Sequence, residues 1–268
     1  VTAITRETDG SYLVHTRGWK YPADRVIVTT GSPASEIAGS SADGLQFADE
    51  LGIRSIPFAP ALCPLKCSGA EFQKWSGVRA DGRVTLFLDG VPVVSESGEL
   101  QLTSYGISGI PVFQVSRYAV RALEEGALVE AELDFFPDME EDAFAALLNH
   151  RMMSCTYKTQ EELLIGLLPD KLTPLALRNG RELDVIAHAV KHVRLKVKDS
   201  AGFERAQVSS GGVDLAEVSD QLESMRYPGL YFAGEVLDVD GACGGYNLHW
   251  AWVTGAIAGF SAANEEEE

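Results

Sequence analysis

The chain has 268 residues, 46 % of them apolar, and a formal charge of −17. That length suffices for about two domains with a sizeable core, while so acidic a surface excludes phosphate neutralisation by clustered Lys and Arg and so disfavours nucleic-acid partners. Four scattered cysteines (Cys63, Cys67, Cys155, Cys243) exclude a disulfide framework and fit a reducing, cytoplasmic setting, and no apolar leader or membrane-length segment is present.

In chain order, residues 1–6, 12–16 and 25–29 read as three short strands, with a hairpin turn at Asp9-Gly10. No helix fits between them, so they form a meander, and the chain begins as though in mid-domain. The third strand ends in Thr29-Thr30-Gly31-Ser32. Residues 44–52 form a short helix with Leu45, Ala48 and Leu51 on one face, and Pro57 with Pro60 marks a domain boundary. Residues 60–136 are mostly strand: 83–88 alternates, Asp89-Gly90 turns, and 91–95, 100–103 and 128–136 follow. A helix with Val112, Val115, Ala119 and Leu123 on one face interrupts them. This is a small antiparallel barrel carrying one helix.

Residues 137–193 turn helical, with segments at 140–153, 160–167, 169–178 and 183–193, and give a compact helical insert. Residues 194–206 return to the barrel through a strand at 194–198. Residues 207–268 rejoin the first domain, where Gly211-Gly212 permits a sharp turn or a close backbone approach to a ligand. The run 230–233 is a buried strand ending at Gly234-Glu235. After an acidic loop, Gly244-Gly245 opens a long apolar segment, 248–263, read as a buried helix whose Gly255 and Gly259 lie close to a sheet. Strand, loop and helix N-terminus together offer free N–H groups and a positive dipole end to a planar or phosphorylated anion. Asn247 is the candidate N-cap.

Several other motifs fail their tests. Asp238 and Asp240 lack the spacing and closing Glu of a calcium loop, and Cys63 with Cys67 lacks a second zinc-ligand pair. Ser108 in Gly-Ile-Ser-Gly is not a nucleophile elbow. His188 and His192 lack the Glu of a metalloprotease helix and read as surface residues, so no metal is expected.

The stretch Gly-Glu-Val-Leu-Asp-Val-Asp-Gly at 234–241, followed by Gly-Gly-Tyr-Asn-Leu at 244–248, resembles the C-terminal signature of a bacterial family of FAD-dependent oxidoreductases. That group includes aminoacetone oxidase and a bile-acid reductase. The segments 60–66, 98–109, 166–172 and 210–213 resemble the same family in the same order, over nearly the whole chain. The resemblance implies a mixed α/β and α+β fold: part of a two-dinucleotide-binding FAD domain (1–59 and 207–268) with an inserted barrel and helical subdomain. It implies FAD as cofactor, NAD(P)H as a second substrate, and a small-molecule substrate. The cofactor residues it implies are Thr30, Gly31, Gly212, Gly234, Glu235, Gly244, Gly245, Tyr246, Asn247 and Leu248. Glu235 would hold the ribityl chain and Thr30-Gly31 would lie near the pyrophosphate or adenosine. No catalytic acid or base is named.

His249 after Asn-Leu, Ser104 and Ile110 depart from the family's usual Gln, His and Pro, which puts the substrate in question more than the fold. The family's Gly-x-Gly-x-x-Gly turn is absent from this sequence. The expectation is therefore a chain lacking the N-terminal FAD-binding half, which holds FAD weakly or not at all by itself. The alternative is a non-redox module that binds a small molecule or a protein.

Overall fold

The computed structural model describes residues 1–69 and 71–264. The terminal acidic run at 265–268 lies outside them. The chain divides into two compact units, unit 1 comprising 1–61 and 203–268 and unit 2 comprising 62–202.

Unit 1 begins with β1 (Ala3–Arg6), β2 (Tyr12–His15) and β3 (Lys20–Ala23), an antiparallel meander in the order β1-β2-β3. The sequence reading missed β3, because Pro22 and Lys20 mask it. Pro is tolerated there because β3 is an edge strand that needs no further N–H donor. The meander is fastened by Tyr12, fully buried, whose hydroxyl donates to the Pro228 carbonyl at 2.8 Å. The strand expected to complete it, β4 (Val26–Val28), instead runs parallel to a strand near the C-terminus. After it come α1 (Asp43–Glu50) and β5 (Ser55–Ala61), which carries both Pro57 and Pro60.

Unit 2 contains β6 (Leu65–Cys67), α2 (Phe72–Trp75), β7 (Val78–Leu88), β8 (Val91–Leu102), β9 (Gly106–Ser108), α3 (Ile110–Glu124) and β10 (Val129–Asp134). There follow α4 (Glu141–Ser154), α5 (Gln160–Leu163), α6 (Thr173–Ala176), α7 (Leu183–Lys191) and β11 (Val193–Ser200). Six strands close an antiparallel barrel in the order β10-β11-β6-β9-β8-β7. The long β7–β8 hairpin turns at Asp89-Gly90, both at positive φ (49° and 83°), as a primed turn requires. α3 lies over the barrel, burying Val112, Val115, Ala119 and Ala122.

The expected helices at 160–167 and 169–178 are shorter than the periodicity suggests. α5 has a full capping box between Thr159 and Glu162, but Gly166 and Pro169 end it early, and α6, with Pro174 in its first turn, runs for one turn before Leu177 leaves helical geometry. The helices share one apolar core with the barrel, through Phe144 and Leu148 of α4 and Ile186 and Val190 of α7.

The chain re-enters unit 1 through a 3₁₀ turn (Phe203–Arg205) and continues into β12 (Val208–Val213), antiparallel to β5. β13 (Leu230–Phe232) pairs with β4 in parallel register, Val28 opposite Phe232. α8 (Tyr246–Ala263) ends the described chain, with Arg25 donating to the Ala262 carbonyl at 2.6 Å.

α8 departs from the buried helix expected from its composition. Only Thr254 and Ala258 are fully buried, while Trp252 is 76 %, Phe260 71 % and Leu248 67 % exposed. A Cβ at Gly255 or Gly259 would meet nothing within 4 Å, so these glycines do not serve close packing here. The sequence is apolar on all sides, yet unit 1 covers one narrow stripe. A helix of that kind is normally enclosed. No helix among the described residues is long and apolar enough to cross a membrane.

Candidate cofactor site in unit 1

The parallel pairing of β4 and β13 brings their carboxyl ends side by side, so that Thr30-Gly31 and Gly234-Glu235 leave the same edge. The Ala233 N–H donates to the Val28 carbonyl (3.1 Å) across that edge. Gly234 is held against α8 from two sides. Its N–H donates to Thr254 Oγ1 at 2.9 Å, and its carbonyl accepts from the Trp250 indole at 3.2 Å.

Glu235 does not lie free at the strand end. Its Oε1 accepts the Ser209 N–H at 2.9 Å, and the Ser209 hydroxyl pairs with the Ser32 hydroxyl at 2.9 Å. Ser32 and Ser209 are buried, and the network joins the exits of β4 and β13 to β12. Sequence reasoning missed both serines: Ser32 closes the Thr29-Thr30-Gly31-Ser32 strand exit and Ser209 precedes the 210–213 stretch, and neither hydroxyl carries a signal of its own. Burial raises the Glu235 pKa above its ordinary value, opposed by hydrogen bonds from Ser209 and Ser32. An acid whose pKa is raised in the fold favours the protonated form there. Its stabilisation is complete below the unfolded-state pKa and declines as pH rises through the folded-state value. Glu235→Gln keeps the acceptor and removes the charge. The variant should therefore gain stability relative to wild type as pH is raised from about 4 to about 7. Urea midpoints at several pH values test this, and a pH-independent difference would contradict it.

At the other side of the site, Gly244 and Gly245 are exposed, and Gly245 is the N-cap of α8 in a left-handed conformation (φ 94°). Asn247 is not the cap. Its side chain reaches back to Gly241, accepting from that N–H at 2.7 Å and donating to that carbonyl at 3.1 Å. No side chain caps the helix. The turn is thus open, with Tyr246 and Leu248 largely exposed beside it and the positive end of an 18-residue helix behind it.

Two buried hydroxyls near these elements have no hydrogen-bond partner among the described residues, Thr30 Oγ1 after β4 and Ser210 Oγ in β12. Thr30 is further hemmed in by Gly44, a position the sequence did not flag. A Cβ there would lie 2.6 Å from Val236 Cγ2 and closer still to Thr30 Oγ1, so the first turn of α1 can pack on this edge only as glycine. Gly212 makes a close backbone approach, but to its own chain: a Cβ would lie 2.5 Å from the Asp238 nitrogen and 2.7 Å from the Leu237 oxygen. It positions the segment carrying Glu235.

The fold thus gathers the exits of β4 and β13 with Gly212 of β12, and sets the N-terminus of α8 on the loop that follows β13. Orphaned buried hydroxyls and an uncapped helix start fit a polar, partly anionic group such as FAD.

Comparison with known proteins agrees with a shared ancestry over nearly the full chain. The family model described as "HI0933-like protein Rossmann domain" matches residues 1–261. The chain is 40 % identical to the 3-dehydro-bile acid delta(4,6)-reductase of Clostridium scindens, over 94 % of this chain and 65 % of the reductase. It is 28 % identical to the ribosomal RNA dihydrouridine synthases of Haemophilus influenzae and Escherichia coli. Those alignments cover 99 % and 94 % of this chain and 67 % and 64 % of the synthases. The chain thus spans about two thirds of the length of these relatives.

Proposed function

The chain belongs to the HI0933-like protein Rossmann domain family, and from that premise we propose that it is the greater part of an FAD-dependent oxidoreductase acting on a small organic molecule, with NAD(P)H as second substrate. The observation that carries this reading is the open, uncapped start of α8 beside the carboxyl ends of the parallel β4–β13 pair. The name of the reductase relative supports an oxidoreductase. The activity named for the synthases is not carried over, since a formal charge of −17 opposes binding to a polyphosphate backbone.

Bound here, FAD would supply the hydride acceptor and donor. The N–H groups of Tyr246, Asn247 and Leu248 would hold an anionic edge, an interaction worth about 0.3–2 kcal/mol from the dipole alone. Asn247 keeps the 241 loop folded back so that those donors stay open. A carboxylate has about four acceptor sites, and Glu235 uses two on Ser209 and Ser32, leaving capacity for a ribityl hydroxyl. Thr30 Oγ1 would gain the partner it lacks, and Gly31 leaves the backbone accessible beside it.

A two-stranded parallel sheet and an apolar helix with one covered stripe are both incomplete by ordinary rules, since parallel sheets are enclosed on both faces. On this reading, the third of the relatives' length that this chain does not span would supply the rest of the FAD-binding domain and pack on these surfaces. The test places this sequence at the length of the reductase and measures flavin retained after gel filtration. Stoichiometric flavin, reducible by NADH or NADPH, is expected. Asn247→Ala should weaken retention on the order of tenfold, the loss of about 1.4 kcal/mol. A family-length chain that keeps its fold but never holds flavin would leave the non-redox binding module as the better account.

A further inference from the structure

The second cluster of chemistry lies in unit 2, where His188 and His192 stand one helical turn apart at the end of α7 with their rings 4.7 Å apart. Glu141, the first residue of α4, faces both. Its Oε2 lies 3.3 Å from His188 Nδ1 and 3.2 Å from His192 Nε2, and one donor atom from each of the three residues falls within 4.8 Å of the others. Charge-assisted N–H to carboxylate bonds close to about 2.7–2.9 Å. Ligands on a tetrahedral ion with bonds of about 2.0–2.1 Å stand about 3.3 Å apart, which is the separation of Glu141 Oε2 from each of the two imidazole nitrogens.

A supporting layer is also in place. Glu132 Oε2 lies 3.2 Å from His192 Nδ1, the nitrogen that does not face Glu141, and Arg194 Nε fixes the same oxygen at 2.9 Å. A carboxylate on the outer nitrogen of a ligating histidine sets its tautomer and ring orientation. The carbonyl end of α7 adds its negative dipole.

We propose that Glu141, His188 and His192 form a binding site for a divalent transition ion such as zinc, with a solvent-open fourth position and Glu132 as the positioning residue. Two imidazoles and one carboxylate suit zinc, cobalt, nickel or copper and offer too few oxygens for calcium. The ion would clip the start of α4 to the end of α7, whose inner faces share the barrel core.

The experiment titrates Co²⁺ into the EDTA-treated chain free of tag histidines and follows the visible d–d bands of the tetrahedral ion. Saturation at one equivalent, displacement by Zn²⁺, and no thiolate-to-cobalt band are expected. Glu132→Gln should weaken binding by about 10–100-fold, and unchanged affinity would remove Glu132 from the site. The doubly substituted His188→Asn, His192→Asn chain changes one exposed and one half-buried side chain and none of the apolar core, so it should fold, with an unchanged urea midpoint in the absence of metal, and lose the signal. Lack of saturable uptake by the wild type, or equal uptake by the double variant, overturns the proposal.

Discussion

Lys191→Met is expected to destabilise unit 2 by about 3–5 kcal/mol, the loss typical when one partner of a buried ion pair is removed. The Lys191 side chain is 9 % exposed at the end of α7, and its Nζ donates to Asp134 Oδ2 at 2.9 Å, Asp134 Oδ1 at 3.2 Å and the Phe136 carbonyl at 2.6 Å. All three ammonium protons are therefore used. Methionine matches the aliphatic stem but leaves the Asp134 carboxylate, itself 17 % exposed, with only the Phe136 N–H at 2.8 Å, and leaves the Phe136 carbonyl without its ammonium donor. Adding Asp134→Asn should restore part of the loss, because it removes the stranded charge. The exposed pair Lys66–Asp199 (3.3 Å) is the contrast: Lys66→Met should cost less than about 1 kcal/mol, since solvent already screens it. Urea unfolding followed at Trp75, buried against Phe72 in unit 2, reports both. Equal losses for the two lysines would refute the argument.

The same region shows where the sequence ceased to be informative. The β7–β8 hairpin, α3 and α7 were legible because Asp89-Gly90 encodes its own turn and because the two helices carry clear apolar spacing, whereas α4 was legible from its run of helix-favouring Glu, Ala, Leu and Met. β6 and β9, which close the barrel, have three residues each, too few to display a period of two. Their pairing with β11 and β8 is decided by the rest of the barrel. Lys191 read as one more polar residue on α7, since nothing in its neighbours announces that Asp134, far away in sequence, waits beneath it. His188 and His192 were visible as a pair, but the third donor lies at the start of another helix.

In unit 1 the junction of β13 with α8 was legible, and the environment of its residues was not. Composition correctly marks α8 as apolar on every side, and it cannot say how much of that surface this chain covers. Gly244 and Gly245 stand open as the motif suggested. Glu235 and Asn247 turned out to be engaged with Ser209 and Gly241, because hydrogen-bond partners are fixed by tertiary approach.

Gly212→Ala should cost about 2–6 kcal/mol and dismantle the site along with the fold around it. Gly212 sits in β12 opposite Ile56 of β5 with φ at 142°, a region that side-chain-bearing residues avoid at a cost of about 1–3 kcal/mol. The added methyl would also collide with the backbone of Leu237 and Asp238, and backbone cannot rotate away as a side-chain end can, so displacement adds about 1–3 kcal/mol. What moves is the segment that holds Glu235. Asp238 donates to the Val213 carbonyl at 2.9 Å, and Val213 and Leu237, both fully buried, form a parallel bridge. Pushing them apart also loosens Glu235 from the Ser209 N–H. The same substitution at Gly255 of α8 should have the opposite sign, up to about 1 kcal/mol stabilising, because space is open there and alanine favours helix. Urea midpoints for the two variants decide the matter: a Gly212→Ala chain within about 1 kcal/mol of wild type would mean that the Leu237–Asp238 backbone can yield, and that Gly212 does not fix the strand exit carrying Glu235.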